Sequence, residues 1–190
     1  MQSKNRRRAL LVVLLALATA LPAAASTVLH MDLDGLSSRA ALIFRATVLS
    51  VEPGSVAVGG GELTTTTYRL RVDEAFKGAF DGGGKEAAVV EVTVVGDLKQ
   101  KAQASGDLVH LVSLPQAPRL ERGGEYVLFT TAPSAVGLST TVGLGQGAFK
   151  IYHAADRREM AVNELGNLGL FSGPVTYSEL ADAIRAHVGN

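Results

Sequence analysis

The chain contains no cysteine and no tryptophan. Without a thiol there is no disulfide, no thiolate metal site and no thiol nucleophile. A bacterial lipoprotein anchor is excluded by the same absence, because that lipid is built on a cysteine at the cleavage point. Aromatics are sparse: six Phe and four Tyr, most of them at core-facing positions of the strand pattern. That leaves little from which to build the stacking platform of a single-stranded nucleic-acid groove. Catalytic signatures are missing too. There is no G-x-S-x-G nucleophile elbow, no H-E-x-x-H and no complete calcium loop; Asp32-x-Asp34-Gly35 is only a fragment of one.

What is present begins at the N-terminus. Lys4, Arg6, Arg7 and Arg8 form a basic head, followed by an apolar run from Ala9 to Leu21. Pro22 breaks the run, and Ala23 to Ala25 offer small residues before Ser26. This is the charge–apolar–small order of a secretory signal peptide. The run is shorter than the roughly 20 residues a membrane-spanning helix needs. The expectation is a signal peptide over 1–25 and a mature, extracytoplasmic chain over 26–190, periplasmic or secreted and with no stable membrane anchor. The general export route is preferred to the twin-arginine route, which Arg6 to Arg8 leave open.

Removing the head leaves 14 basic against 18 acidic residues, a net of −4 with His neutral. Scattered charge of that sign gives no footprint for nucleic acid and no polybasic patch for an anionic membrane. A disulfide-free domain of this length can live on its core, burying about 70% of its unfolded surface. One domain is expected.

Along the chain, Asp34 is read as N-cap of a short helix over Leu36 to Ala41. Leu42 to Glu52 is rich in apolar and β-branched residues and predicts a strand, ended by Pro53-Gly54 and followed by a flexible loop at Gly59 to Gly61. Thr64 to Glu74 alternates Tyr68, Leu70 and Val72 with Thr67, Arg69 and Arg71, the period of a half-buried strand. Further strands are predicted over Ala87–Val95, Leu108–Leu114, Glu125–Thr131, Val136–Thr141 and Ala148–Tyr152, with a polar stretch over Asp97–Asp107. Thr176-x-x-Glu179 is a capping box opening a helix over Ser178–Val188, with Gly189 as its stop. Many short strands and few helices predict a mainly β fold, an all-β barrel or sandwich with a short N-terminal helix and a C-terminal helix.

Two segments, Ala41 to Val51 and Tyr68 to Gly78, resemble the first two strands of netrin-like domains, among them the tissue inhibitors of metalloproteinases. That resemblance implies an OB-type barrel. Together with Val142 to Ile151, the same segments resemble a group of exported bacterial proteins with no assigned activity. The resemblance covers about the first half of the mature chain and the glycine segment. In the inhibitors an N-terminal Cys chelates the target's zinc and disulfides staple the domain. Here the expected mature N-terminus is Ser26 and Cys is absent, so that mechanism does not carry over.

Few residues stand out for chemistry. His30, Asp32 and Asp34 alternate and could share a face, but read better as a solvated lead into the helix. His110 reads as a satisfied barrel-edge histidine. His153 and Asp156 read as a solvated turn, and His187 as a cation suited to the end of the last helix. Gly143, Gly145 and Gly147 are taken as structural: at period 2 in an extended chain, they would present bare Cα atoms to a close neighbour. Gln146 is the polar side chain among them, a candidate binding residue and otherwise a group that satisfies buried backbone. Arg69 and Arg71, with Thr65 and Thr67, form a polar strip that is either a second candidate binding surface or a wet sheet face. No catalytic residue, metal site or cofactor is expected. The reading is an exported, non-enzymatic binding or interaction module whose partner is a protein or an envelope component. The alternative is a protease-inhibitor-like module using a loop such as Pro53 to Gly61. An exported hydrolase, with His110 or His153 meeting a carboxylate and a hydroxyl, comes third.

Overall fold

The computed structural model describes residues 30–81, 87–96 and 118–189. The expected signal peptide, the polar stretch 97–107, the strand expected over 108–114 and His110 lie outside the described residues. The architecture is mainly β: one seven-stranded antiparallel sheet and two helices. The strands are β1 (Leu42–Val58), β2 (Gly61–Lys77), β3 (Val89–Val95), β4 (Glu125–Thr130), β5 (Ala148–His153), β6 (Glu159–Asn163) and β7 (Val175–Thr176). Helix α1 (Leu33–Arg39) precedes the sheet and α2 (Tyr177–Val188) follows it. The spatial order is β3-β2-β1-β4-β5-β6-β7. The sheet is open, so the closed barrel expected from the sequence is not what forms. The reason lies in β5, β6 and β7, which extend the sheet beyond β4 instead of returning to β3.

The longest elements correct the sequence reading. Pro53-Gly54 does not end the first strand; β1 runs through it to Val58 and pairs with β2 down to Val58 opposite Gly61. The glycines expected to form a flexible loop make a two-residue hairpin turn. Gly59 and Gly60 take φ of 60° and 83°, the left-handed pair that a tight hairpin favours. Beyond Gly54 opposite Thr65, no further strand pairs with this hairpin among the described residues, so its end stands out as a two-stranded arm. Helix α1 also starts earlier than expected: Asp32, not Asp34, is the N-cap, accepting from Gly35 N at 2.8 Å. The capping box of α2 forms as expected, with Thr176 and Glu179 each accepting from the other's backbone N–H.

Alternation along β1 divides the core in two. Ile43, Val127, Phe129, Phe149, Ile151 and Ala161 pack on one face of the sheet against Leu33 and Leu36 of α1 and Leu180 and Ile184 of α2. Phe44, Ala46, Val48, Tyr68, Leu70, Val92, Tyr126 and Leu128 form a second cluster on the opposite face. Leu36, Leu180 and Ile184 have no exposed surface, and each stabilises the docking of its helix by about 1.5–3 kcal/mol of burial.

The edge of β4 opposite β1 has two partners. Glu125 to Leu128 pair with β5, ending at Leu128 opposite Ala148. One residue on, Val142 N donates to Phe129 O at 2.8 Å, and Thr130 bridges Thr141. Residues 140–142 and 148–153 therefore run along β4 as one interrupted strand, with 143–147 looped out. The strand expected over Val136–Thr141 reduces to that single bridge. The looped-out residues form a 3₁₀ turn, Leu144–Gly147, so the glycines do not alternate along an extended chain. Gly147 is needed for a different reason. A Cβ there would fall inside contact distance of the Val142 carbonyl oxygen and within 3.2 Å of Val142 N. Gly143 begins the turn at φ 63°.

Candidate functional site

The helices cover only part of their face of the sheet. The rest is polar, and the boundary is marked by Arg45. This residue interrupts the apolar run of β1, and its place on the helix-bearing face follows from alternation between Ile43 and Thr47. Its guanidinium donates to both oxygens of Glu159 on β6, at 2.7 and 3.1 Å, and to Glu125 on β4. It also lies 4.3 Å from the ring centroid of Tyr177, the first residue of α2. These carboxylates hold Arg45 protonated even further above the usual range, against the opposing cost of its partial burial. In return, the hydrogen bond from Arg45 holds the Glu159 carboxyl below the usual carboxylate range. Tyr177 donates its hydroxyl to Glu74, and Glu74 also accepts from Arg185 of α2. Burial first, and then the Glu74 carboxylate, push the Tyr177 phenol up to about 12. One ionic network thus ties four strands to α2.

A β-bulge shapes the polar half. Arg45 pairs with Glu74 while Ala46 pairs with Val72, so Asp73 is an extra residue on β2. A bulge resets the alternation and turns two successive side chains to one face. Asp73 and Glu74 consequently both border an open cleft of about 260 Å³, together with Arg45, Thr47, Arg71 and Glu125. The cross-strand register places Arg71 and Glu125 on either side of Thr47, on β2 and β4. Thr47 is short, so it forms a low floor between two long side chains of opposite charge. Asp73 fixes one wall, accepting from Arg71 Nε at 2.8 Å and from the Thr47 hydroxyl at 2.6 Å. Arg71 Nη2 donates to Thr47 Oγ1 at 3.1 Å and closes the triangle.

The residues singled out in the sequence fall in three places. Arg71 lines the cleft. Arg69 lies outside it, ion-paired to Glu91 on β3 at 3.3 Å. Thr67 beside it meets the Thr93 hydroxyl, whereas Thr65 is buried. Gln146 is elsewhere, fully buried in the looped-out turn. Its side-chain oxygen accepts from Met31 N at 2.9 Å, and its carbonyl accepts from Asn163 Nδ2 at 3.1 Å. Gly143, Gly145 and Gly147 belong to that same turn, far along the sheet order from β2. His153 is exposed at the rim of the polar half, 3.9 Å from Glu159, and Asp156 is engaged with Arg158. His187 sets Nδ1 against the Ala183 carbonyl. His30 is exposed, and Asp32 is occupied as a helix cap.

Sequence reasoning missed Arg45, Thr47, Asp73, Glu74 and Glu125. The one available signal was the arginine within the apolar run of β1. A charge inside a strand that is otherwise buried on both faces needs partners. Among the described residues, no group of three or more His, Asp or Glu side chains is gathered to hold a metal ion. No family model, no curated protein and no solved structure matches this chain.

Proposed function

We propose that this protein is an exported, non-enzymatic binding module that meets its partner through the polar half of the helix-bearing face. The observation that carries the reading is the cleft over Thr47. Its walls come from three adjacent strands, and its charged side chains are held by one another rather than left to search for a geometry. A preformed polar concavity on a rigid sheet is the ordinary form of a binding site. Export is proposed from the basic, apolar and small-residue order of residues 1–25. Among the described residues no helix is long and apolar enough to cross a membrane.

The OB-like relationship belongs to the same proposal. Ser139 N donates to Thr93 O at 2.8 Å, bringing the residue that precedes the interrupted strand to β3. The cluster around Phe44, Leu70 and Leu128 gives the sheet a second buried face, opposite the helices. Both features favour a sheet derived from a barrel, opened by the extension through β5 to β7.

The test is affinity capture of envelope and extracellular extract on the purified protein, in parallel with Arg71→Glu and Thr47→Arg variants of unchanged melting temperature. Retention of one partner by the unaltered protein and its loss from both variants is the expected result. Equal retention by all three removes the cleft from the contact surface. Turnover of ester, peptide or glycoside substrates that the same variants abolish makes the protein a hydrolase instead.

A second reading, the protease-inhibitor-like module, is favoured by the arm. Its tip, from Val56 to Leu63, presents Val58 at 46% exposure and carries no basic residue. Inhibition of a protease panel that disappears on replacing residues 55–62 with a two-residue turn selects this reading. No inhibition by the full arm eliminates it.

A further inference from the structure

The chemistry of the cleft walls narrows the kind of ligand, on the reading that the cleft is a binding site. Arg71 has five N–H donors in a fixed fork. Nε is committed to Asp73, and Nη2 gives one hydrogen to Thr47. The two terminal nitrogens still offer a parallel pair of donors, the arrangement that takes a carboxylate bidentately. Asp73 and Thr47 hold the guanidinium in place, so little side-chain freedom is lost on binding. Across Thr47, Glu125 uses one oxygen to accept from Arg45; among the described residues its other oxygen accepts no hydrogen bond. Two strand spacings separate the Arg71 and Glu125 backbones by about 10 Å, and the Arg71 guanidinium reaches toward Thr47 between them.

Neither a simple anion nor a simple cation suits this cleft. An anion at Arg71 would also face Asp73, Glu74 and Glu125, whereas a cation at Glu125 would face Arg45 and Arg71. A molecule carrying both charges on a short spacer satisfies each wall with its opposite. We infer that the cleft binds a small zwitterion of the α-amino acid type, its carboxylate on Arg71 and its ammonium on Glu125 above Thr47. The volume of about 260 Å³ accommodates such a molecule with its side chain directed to solvent. The dipolar wall arises from the cross-strand register and the Asp73 bulge, and a sequence-level strip of Arg69 and Arg71 does not contain it.

The test is a nuclear magnetic resonance titration of the purified, isotope-labelled protein with L-alanine, acetate and methylammonium as separate probes. L-alanine is expected to move the amide signals of Thr47, Arg71, Asp73 and Glu125 saturably. Acetate and methylammonium should each need at least about tenfold higher concentration, a difference of about 1.4 kcal/mol. Arg71→Ala and Glu125→Gln should each weaken L-alanine by about tenfold or more with the spectrum otherwise folded, and Arg69→Ala should leave it unchanged. Acetate binding as tightly as L-alanine overturns the inference in favour of a simple anion site. Wild-type affinity in Arg71→Ala overturns it as well. If L-alanine moves nothing while partner capture still depends on Arg71, the ligand class falls and the binding reading stands. If neither is seen, both fall.

Discussion

The two halves of the helix-bearing face are built on the same strands and stabilised in opposite ways. Toward one end, Ile43, Val127, Phe129 and Phe149 lie under α1 and α2, dry and close-packed. Toward the other, Thr47, Arg71, Asp73 and Glu125 border open space and are held by hydrogen bonds and ion pairs. Arg45 stands between them, its side chain 15% exposed, with Glu159 and Glu125 on the wet side and the Tyr177 ring against it. The apolar half specifies how the helices dock. The polar half adds little to stability, because exposed ion pairs each contribute about 0–1 kcal/mol, and is therefore free to serve recognition.

That contrast is open to measurement, beginning where the effect is largest. Ile184→Ala removes a side chain with no exposed surface beneath α2 and should cost about 2–5 kcal/mol in urea denaturation. A cost under 1 kcal/mol would show that α2 is not anchored by its apolar face. Gly147→Val forces a side chain onto the Val142 backbone and should cost about 1–3 kcal/mol, read as a lower melting temperature. A folded, equally stable Gly147→Val variant that loses its partner would instead make the looped-out turn a contact surface.

The boundary residue should lie between the extremes. Arg45→Met keeps the stem and removes the charge, leaving Glu125 and Glu159 without their shared donor. Losing these charge-assisted bonds should cost about 1–3 kcal/mol. In a double-mutant cycle with Glu159→Gln, the combined cost should be smaller than the sum; additivity would mean the two side chains do not act together. The same pair makes an acid limb. The folded-state pKa of Glu159 lies below its unfolded value because Arg45 donates to the carboxylate. Its contribution is therefore complete above the ordinary glutamate pKa of about 4.3 and disappears as pH falls through the lower, folded-state value. Arg45→Met should flatten the acid side of the stability profile, and an unchanged slope would assign that limb to other carboxylates. The smallest effect is expected deep in the polar half. Arg71→Ala should change stability by less than about 0.5 kcal/mol, as surface substitutions usually do. A cost above 1 kcal/mol would make the Asp73–Thr47–Arg71 triangle a structural clamp rather than a receptor.

Much of the secondary structure was legible because it is local. Thr176 and Glu179 sit three residues apart with an apolar stripe behind them, which is enough to start a helix. The alternation of Tyr68 and Leu70 with Arg69 and Arg71 is enough to orient β2. Composition alone excludes thiol chemistry. Other elements were misread because their reasons are not local. Pro53-Gly54 was read as a strand end, yet on the β4 side of β1 no strand pairs beyond Thr47 among the described residues, so a proline there has no outer ladder to disrupt. Gly143, Gly145 and Gly147 looked like an alternating set, but a change of partner along β4 turns them into a 3₁₀ turn.

The sequence by itself determined that the protein has no cysteine chemistry, that β structure dominates and that an amphipathic helix closes the chain. Periodicity and capping act within a few residues, so they can be read in order along the chain. Tertiary structure alone decided that the sheet stays open, that Asp73 and Glu74 face the same way, and that Arg71 and Glu125 share a cleft over Thr47. Register and bulges depend on which distant strands pair. A shift of one residue in pairing reverses the face of every side chain beyond it, and nothing in the local pattern records that shift.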